Sequence, residues 1–244
     1  MGDTDRISQV EKAIIGLRGM IMSGDFIAGT RLPETALAER LGTSRTPLRQ
    51  AMDRLVTEGL LERMTNGGCR VASFNLDDIN DAIELRGVVE GTAARLAAER
   101  GPDPDLMAEA EAVLGDIDIA VSDPDQIDFD AYVRLNAKFH EILSALAGSP
   151  VIRREVERIS NLPLASPSAF VRGQELIPDF MASLIRAQGQ HRALLEAISG
   201  REGARAEALA REHARLARLN FAFLKDADPR LATCVPGLAL VTSS

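Results

Sequence analysis

The chain has no tryptophan and only one tyrosine among its 244 residues. Eight phenylalanines do not make up the shortfall, and so few aromatics beside abundant Ala, Leu, Arg and Glu argue against a sandwich or barrel. A mostly α fold is the expectation. Cysteine is nearly as scarce. Cys69 and Cys234 stand far apart with no CxxC partner, which excludes a zinc finger or disulfide scaffold and fits a reducing cytoplasm. No apolar run approaches the roughly 18 residues that span a bilayer, and the opening MGDTDRISQV lacks an apolar signal core. Neither membrane insertion nor export is expected, and the chain is placed in the cytoplasm.

What is present supports a real core: 45% of the residues are hydrophobic, enough for one large domain or two ordinary ones. The formal net charge of -8 is unevenly spread. Residues 1–74 hold ten basic and nine acidic side chains, so the remainder carries -9, and two regions with different partners are expected.

In the first region Val10, Ile14, Leu17 and Ile21 repeat at helical spacing until Gly24 ends the segment. A second helix is expected from Glu34 to Leu41, with Pro33 suited to its start and Gly42 permitting a sharp turn. Ser44 is placed to cap a third helix, on which Leu48, Ala51, Met52 and Leu55 form the buried stripe. That stripe forces Arg45, Thr46, Arg49 and Gln50 outward. Two helices joined by a short glycine turn, the second presenting its N-terminal residues, is how a helix-turn-helix enters a major groove. Arginine suits the task, because its planar fork can donate to guanine O6 and N7 together or clamp a phosphate. Leu60–Met64 and Cys69–Phe74 flank Asn66-Gly67-Gly68, a hairpin signal in which Asn66 and Gly67 are expected at positive φ. The hairpin reads as a wing with Arg63 and Arg70 beside its tip.

Beyond it, residues 75–228 read as a helical bundle. One long helix opens with Asp77 available as cap, and others are expected over about 104–120, 125–147, 150–160, 176–198 and 204–224. Residues 229–244 read as a flexible tail. The three histidines of the chain, His140, His191 and His213, all fall in these helices, and Asn136 shares a face with His140. Neutral imidazoles with one oxygen ligand make a divalent-metal site that a bundle core can build, although each histidine taken singly is more simply read as a partner in a core hydrogen bond or as a surface residue.

The stretch GTRLPETALAERLGTSRTPLRQAMDRLVTEGLLERMTNGGCRV closely resembles the winged-helix domain of GntR-type bacterial transcription regulators, with G-x-x-L-x-E, L-A, S-R-T-P-x-R and G-L in order. Met52 replaces the usual leucine, a volume-conserving change. The remainder resembles the FadR-type ligand-binding domain, FCD, an all-helical bundle. The resemblance implies DNA contacts from Arg31, Ser44, Arg45, Thr46, Arg49, Arg63 and Gly67. It also implies a metal held by Asn136, His140, His191 and His213, with Asn136 standing where many members have aspartate. Zinc is the first choice, and nickel or manganese would also fit three histidines and one oxygen. Arg86 would clamp a small organic acid beside the metal, or instead form a surface pair with Glu90. The expected protein is therefore a homodimeric regulator, more often a repressor in this family, of a pseudo-palindromic double-stranded operator. A regulator for which the metal itself is the signal is the alternative, and a metal-dependent hydrolase a remoter one.

Overall fold

The computed structural model describes residues 8–123, 127–162, 165–168, 178–226 and 237–242. The chain forms two compact units, one of residues 1–78 with 236–244 and the other of residues 79–235.

The first unit begins with α1 (Gln9–Met22), capped by Ser8, whose hydroxyl accepts from the Glu11 amide. Helix α2 (Glu34–Arg40) follows, and Gly42 turns the chain at φ +62° into α3 (Arg45–Thr57). Leu48, Ala51, Met52 and Leu55 are buried as the spacing requires, against Leu17 and Ile21 of α1 and Leu37 of α2. Ser44 holds the cap position, but its side chain makes no capping bond. Strands β1 (Leu61–Arg63) and β2 (Cys69–Val71) then pair antiparallel with Leu61 opposite Val71. The wing turn departs from expectation. Gly67 and Gly68, not Asn66, take positive φ, because Met64 to Gly67 closes a four-residue turn and leaves the left-handed backbone to the two glycines. Residues 29–32 add backbone bonds to β2 from the other side, through an isolated bridge between Arg31 and Arg70.

The expected loose tail is corrected for residues 237–242. Leu238–Leu240 forms a 3-10 turn, Val241 bridges Phe74 in parallel, and Leu240 is fully buried in the core of this unit. Gly237 donates to Met22 O and Thr242 to Phe74 O, so the segment's backbone is paired as well as its side chain. An apolar leucine and a valine in a short breaker-rich stretch carry no periodicity, which is why the docking is invisible in the sequence.

Helix α4 (Leu76–Arg100) leads into the second unit. Its cap is Asn75 and not Asp77: Asn75 Oδ1 accepts from the Asp78 amide and Asp78 Oδ2 from the Asn75 amide, a reciprocal capping pair. Then come α5 (Pro104–Ala120), α6 (Phe129–Leu146), α7 (Pro150–Ser160), α8 (Pro178–Ser199) and α9 (Gly203–Asp226). The sixth starts later than its expected Asp125, at a cap made by Asp128, and 124–126 lie outside the described residues. Leu114 and Ile117 of α5, Phe139 and Leu143 of α6, Leu194 and Ile198 of α8 and Ala206 and Ala210 of α9 share one core. No helix among the described residues is long and apolar enough to cross a membrane.

Candidate functional site

On the winged-helix unit the outward tip of α3 is as expected: Ser44, Arg45, Thr46 and Arg49 are exposed. The arginines are not unattended. Arg49 Nε donates to Glu34 Oε2 at 2.8 Å, and Arg45 Nη2 lies 3.7 Å from the same oxygen. Arg63 at the wing donates to Asp53 on α3, and Arg70 pairs across the hairpin with Glu62 at 2.6 Å. Arg31 reaches the wing turn and donates to Gly67 O at 3.4 Å, so two more of the expected DNA-contacting residues come together.

In the second unit His140, His191 and His213 converge from α6, α8 and α9, with donor atoms all within 4.8 Å of one another. His191 Nε2 and His213 Nε2 are 3.0 Å apart, and His213 Nε2 and His140 Nε2 are 3.3 Å apart. Each opposite nitrogen has its own oxygen partner. His140 Nδ1 meets Glu90 Oε1 at 3.0 Å, His191 Nδ1 meets Gln188 Oε1 at 3.2 Å, and His213 Nδ1 meets Gln190 Oε1 at 3.2 Å. Gln188 is held in this sense because its amide nitrogen donates to Leu114 O and Asp118. Oxygen acceptors at all three Nδ1 atoms assign the proton there, which turns three Nε2 lone pairs toward one another. Facing lone pairs at this separation call for a proton or a cation between them. Burial lowers the pKa of His191 well below the ordinary value, with His140 adding to it, and enclosure of the His213 ring lowers that pKa likewise, helped by His191 and His140. A neutral imidazole is the form that ligates a metal. The donor set therefore fits a divalent ion.

Among the described residues Arg86 is the largest fully buried side chain, and it is not a surface group. Its Nε lies 3.9 Å from Glu90 Oε2, an ion pair without a hydrogen bond, and Nη2 donates weakly to Ala214 O at 3.4 Å. Nε and Nη1 have no hydrogen-bond partner. Burial disfavours the Glu90 carboxylate, but Arg86 and His140 outweigh it and hold its pKa at about 2. Gly87 and Gly91 bring this stretch of α4 against α9: a Cβ on Gly87 would stand 3.0 Å from Ala214 Cβ, and one on Gly91 3.1 Å from Glu207 O. Arg86, Asn136 and His213 line one cavity of about 30 Å³ with Tyr132, Ser183 and Asn220. That is room for about one water molecule. Asn136 is buried one turn before His140, and its amide nitrogen donates to Ser168 Oγ at 3.0 Å, which leaves the oxygen as the atom it can offer a metal.

Sequence reasoning missed four residues of these sites. Gln188 shares a helix face with His191, a relation its spacing shows; Glu90 enters the sequence reading only as a partner of Arg86. Gln190 and Glu34 act across helices, and local spacing carries no trace of that.

A winged helix presenting two arginines, in a chain whose other unit is a helical bundle, is the architecture of a DNA-binding transcription regulator. Residues 9–71 match "Bacterial regulatory proteins, gntR family" and residues 81–216 match the FCD domain. This chain belongs to the gntR family of bacterial regulatory proteins, in the FadR-type group that carries the FCD domain. It is 34% identical over 141 residues to the Nta operon transcriptional regulator of Aminobacter aminovorans, a match covering 58% of this chain and 65% of that protein. It is 28% identical over 221 residues to the galactonate operon transcriptional repressor of Escherichia coli, covering 82% and 91%. Among solved structures the fold is similar to Escherichia coli McbR/YncC, with TM-score 0.63 at 20% identity over 90% of this chain and 98% of that one. The Nta and galactonate operon proteins are named as transcriptional regulators and the matching family is one of regulatory proteins, so the hydrolase alternative is set aside.

Proposed function

We propose that the chain is a homodimeric, effector-responsive transcription regulator, acting as a repressor. Arg45 and Arg49, with Ser44 and Thr46, read a half-site in the major groove, while Arg31, Arg63 and Gly67 meet the backbone at the wing. In the sensor, His140, His191 and His213 hold a divalent metal, zinc first, with Asn136 supplying an oxygen. When bound, that ion would attract the carboxylate of a small organic acid, and Arg86 would take the acid's second oxygen edge. The observation that carries this reading is the convergence of three Nε2 atoms whose Nδ1 partners are each engaged, beside a buried guanidinium with two unpartnered nitrogens. An acid completing the coordination sphere would touch side chains of α6, α8 and α9 at once and so favour one packing of these helices over another. Binding that favours one packing over another is what lets an effector shift DNA affinity.

His191→Ala tests the reading. It removes one ligand and touches no DNA-facing residue, so metal and effector response should be lost while basal operator binding is kept. Full metal occupancy by elemental analysis, or an unaltered effector titration, overturns the mechanism. Operator affinity that follows added zinc with no acid present assigns the signal to the metal instead.

A further inference from the structure

We propose that Glu34 is a positioning residue for DNA recognition, aiming the guanidiniums of Arg49 and Arg45 and raising discrimination between the operator and other DNA. The inference rests on the groove reading of α3 given above and adds to it a residue on a different helix.

Glu34 lies in the first turn of α2, with its side chain only 19% exposed, whereas Arg45 and Arg49 are 62% and 60% exposed. A single carboxylate oxygen serves both: it accepts from Arg49 Nε at 2.8 Å and stands 3.7 Å from Arg45 Nη2. The partly sheltered acid is thus the fixed point, and the two exposed cations are tied to it. Recognition of guanine needs two parallel donors presented together. Taking Nε of Arg49 occupies one side of its guanidinium and leaves the terminal Nη1–Nη2 edge for a base. An exposed arginine otherwise samples many rotamers, and that freedom is lost on binding; an arginine already held loses less.

Charge acts in the same direction. Attraction to DNA of any sequence grows with the number of phosphates a protein neutralises, and it carries no sequence information. A carboxylate between two arginines subtracts from that attraction at every site. At the operator the subtraction is offset by the correctly aimed fork, and elsewhere nothing offsets it. Glu34 therefore widens the gap between specific and non-specific binding. Asp53, bound to Arg63 on the same face, engages neither Arg45 nor Arg49 and is not part of this device.

The test uses the full chain, a duplex selected by the wild-type protein from a random pool, and a scrambled duplex of equal length and composition. Affinity is measured over a range of salt. In Glu34→Gln the ratio of selected to scrambled affinity should fall about ten-fold, scrambled binding should tighten, and the salt dependence should steepen by about one phosphate equivalent. Glu34→Asp keeps the charge but withdraws it from Arg49, so it should lose discrimination with little change in salt dependence. In an Arg49→Ala background, Glu34→Gln should change the ratio by less than it does in the wild type, because only the longer Arg45 contact is left to it. A merely structural Glu34, acting through the charge it places at the start of α2, would weaken both duplexes alike in Glu34→Gln and leave Glu34→Asp like wild type. That result, or an unchanged ratio in Glu34→Gln and Glu34→Asp, overturns the proposal. Should Arg49→Ala by itself leave the selected duplex bound as tightly as before, the groove reading fails and takes this inference with it; loss in Arg49→Ala without any effect at Glu34 refutes the inference alone.

Discussion

Glu90 shows how much one buried carboxylate can hold. It accepts from His140 Nδ1 and faces Arg86, and both charged side chains are almost fully buried. Glu90→Gln keeps an acceptor for His140 but leaves Arg86 without a counter-charge. Removing one partner of a buried pair costs about 3 kcal/mol, so the metal-free protein should unfold at clearly lower urea concentration. Loss of the charge behind His140 should also weaken metal binding about ten-fold or more in a chelator competition. Unchanged stability and unchanged metal affinity together would mean that Glu90 is a bystander. Position alone marked Asn136 and His140 as neighbours, because four residues is one helical turn. Nothing in the spacing distinguished a buried Arg86–Glu90 pair from a surface one, because both look alike at i and i+4; the glycines at 87 and 91, which admit α9, decide it.

At the scale of elements, the helices and the hairpin follow from periodicity and from glycine and proline, as in the i, i+3, i+4, i+7 spacing of Leu48, Ala51, Met52 and Leu55 that buries one face of α3. The segment ending the chain does not. Leu240 is fully buried among Ile21, Leu32 and their neighbours, and its backbone neighbours are paired to residues near 22, 28 and 74. Leu240→Ala should therefore destabilise the winged-helix unit by about 2 to 5 kcal/mol, the range for a leucine emptied from a packed core. Hydrogen exchange of α1 and β2 reads this directly: faster exchange there is expected, and protection equal to wild type would show the segment to be dispensable. A short apolar stretch behind helix breakers has no amphipathic pattern, and only the existing groove beside Phe74 gives it a place.

At the scale of the whole molecule, each of the two units has its own hydrophobic core. The chain passes between the units at residues 78–79 and again at 235–236, and the three histidines all lie in the second unit. Zinc added to metal-stripped protein at one hundred times its dissociation constant should stabilise that unit by about 2.7 kcal/mol. The calorimetric transition of the second unit should rise while DNA-facing residues keep their exchange rates; no shift on zinc addition would leave the histidines as a hydrogen-bonded core. The division between a near-neutral first region and an acidic remainder was legible from composition, as were the arginine-bearing helix, the wing and the scarcity of histidine that made three of them conspicuous. Those features are local: helical spacing, capping chemistry and turn residues act over a few positions, so the chain itself determines them. The convergence of three imidazoles, the Nδ1 partners that set their tautomers, the burial of Arg86 and the hold of Glu34 on Arg49 join residues far apart in the chain. Only packing brings such groups within hydrogen-bond reach, and only exclusion of water makes their charges matter to one another, so the tertiary structure alone decided them.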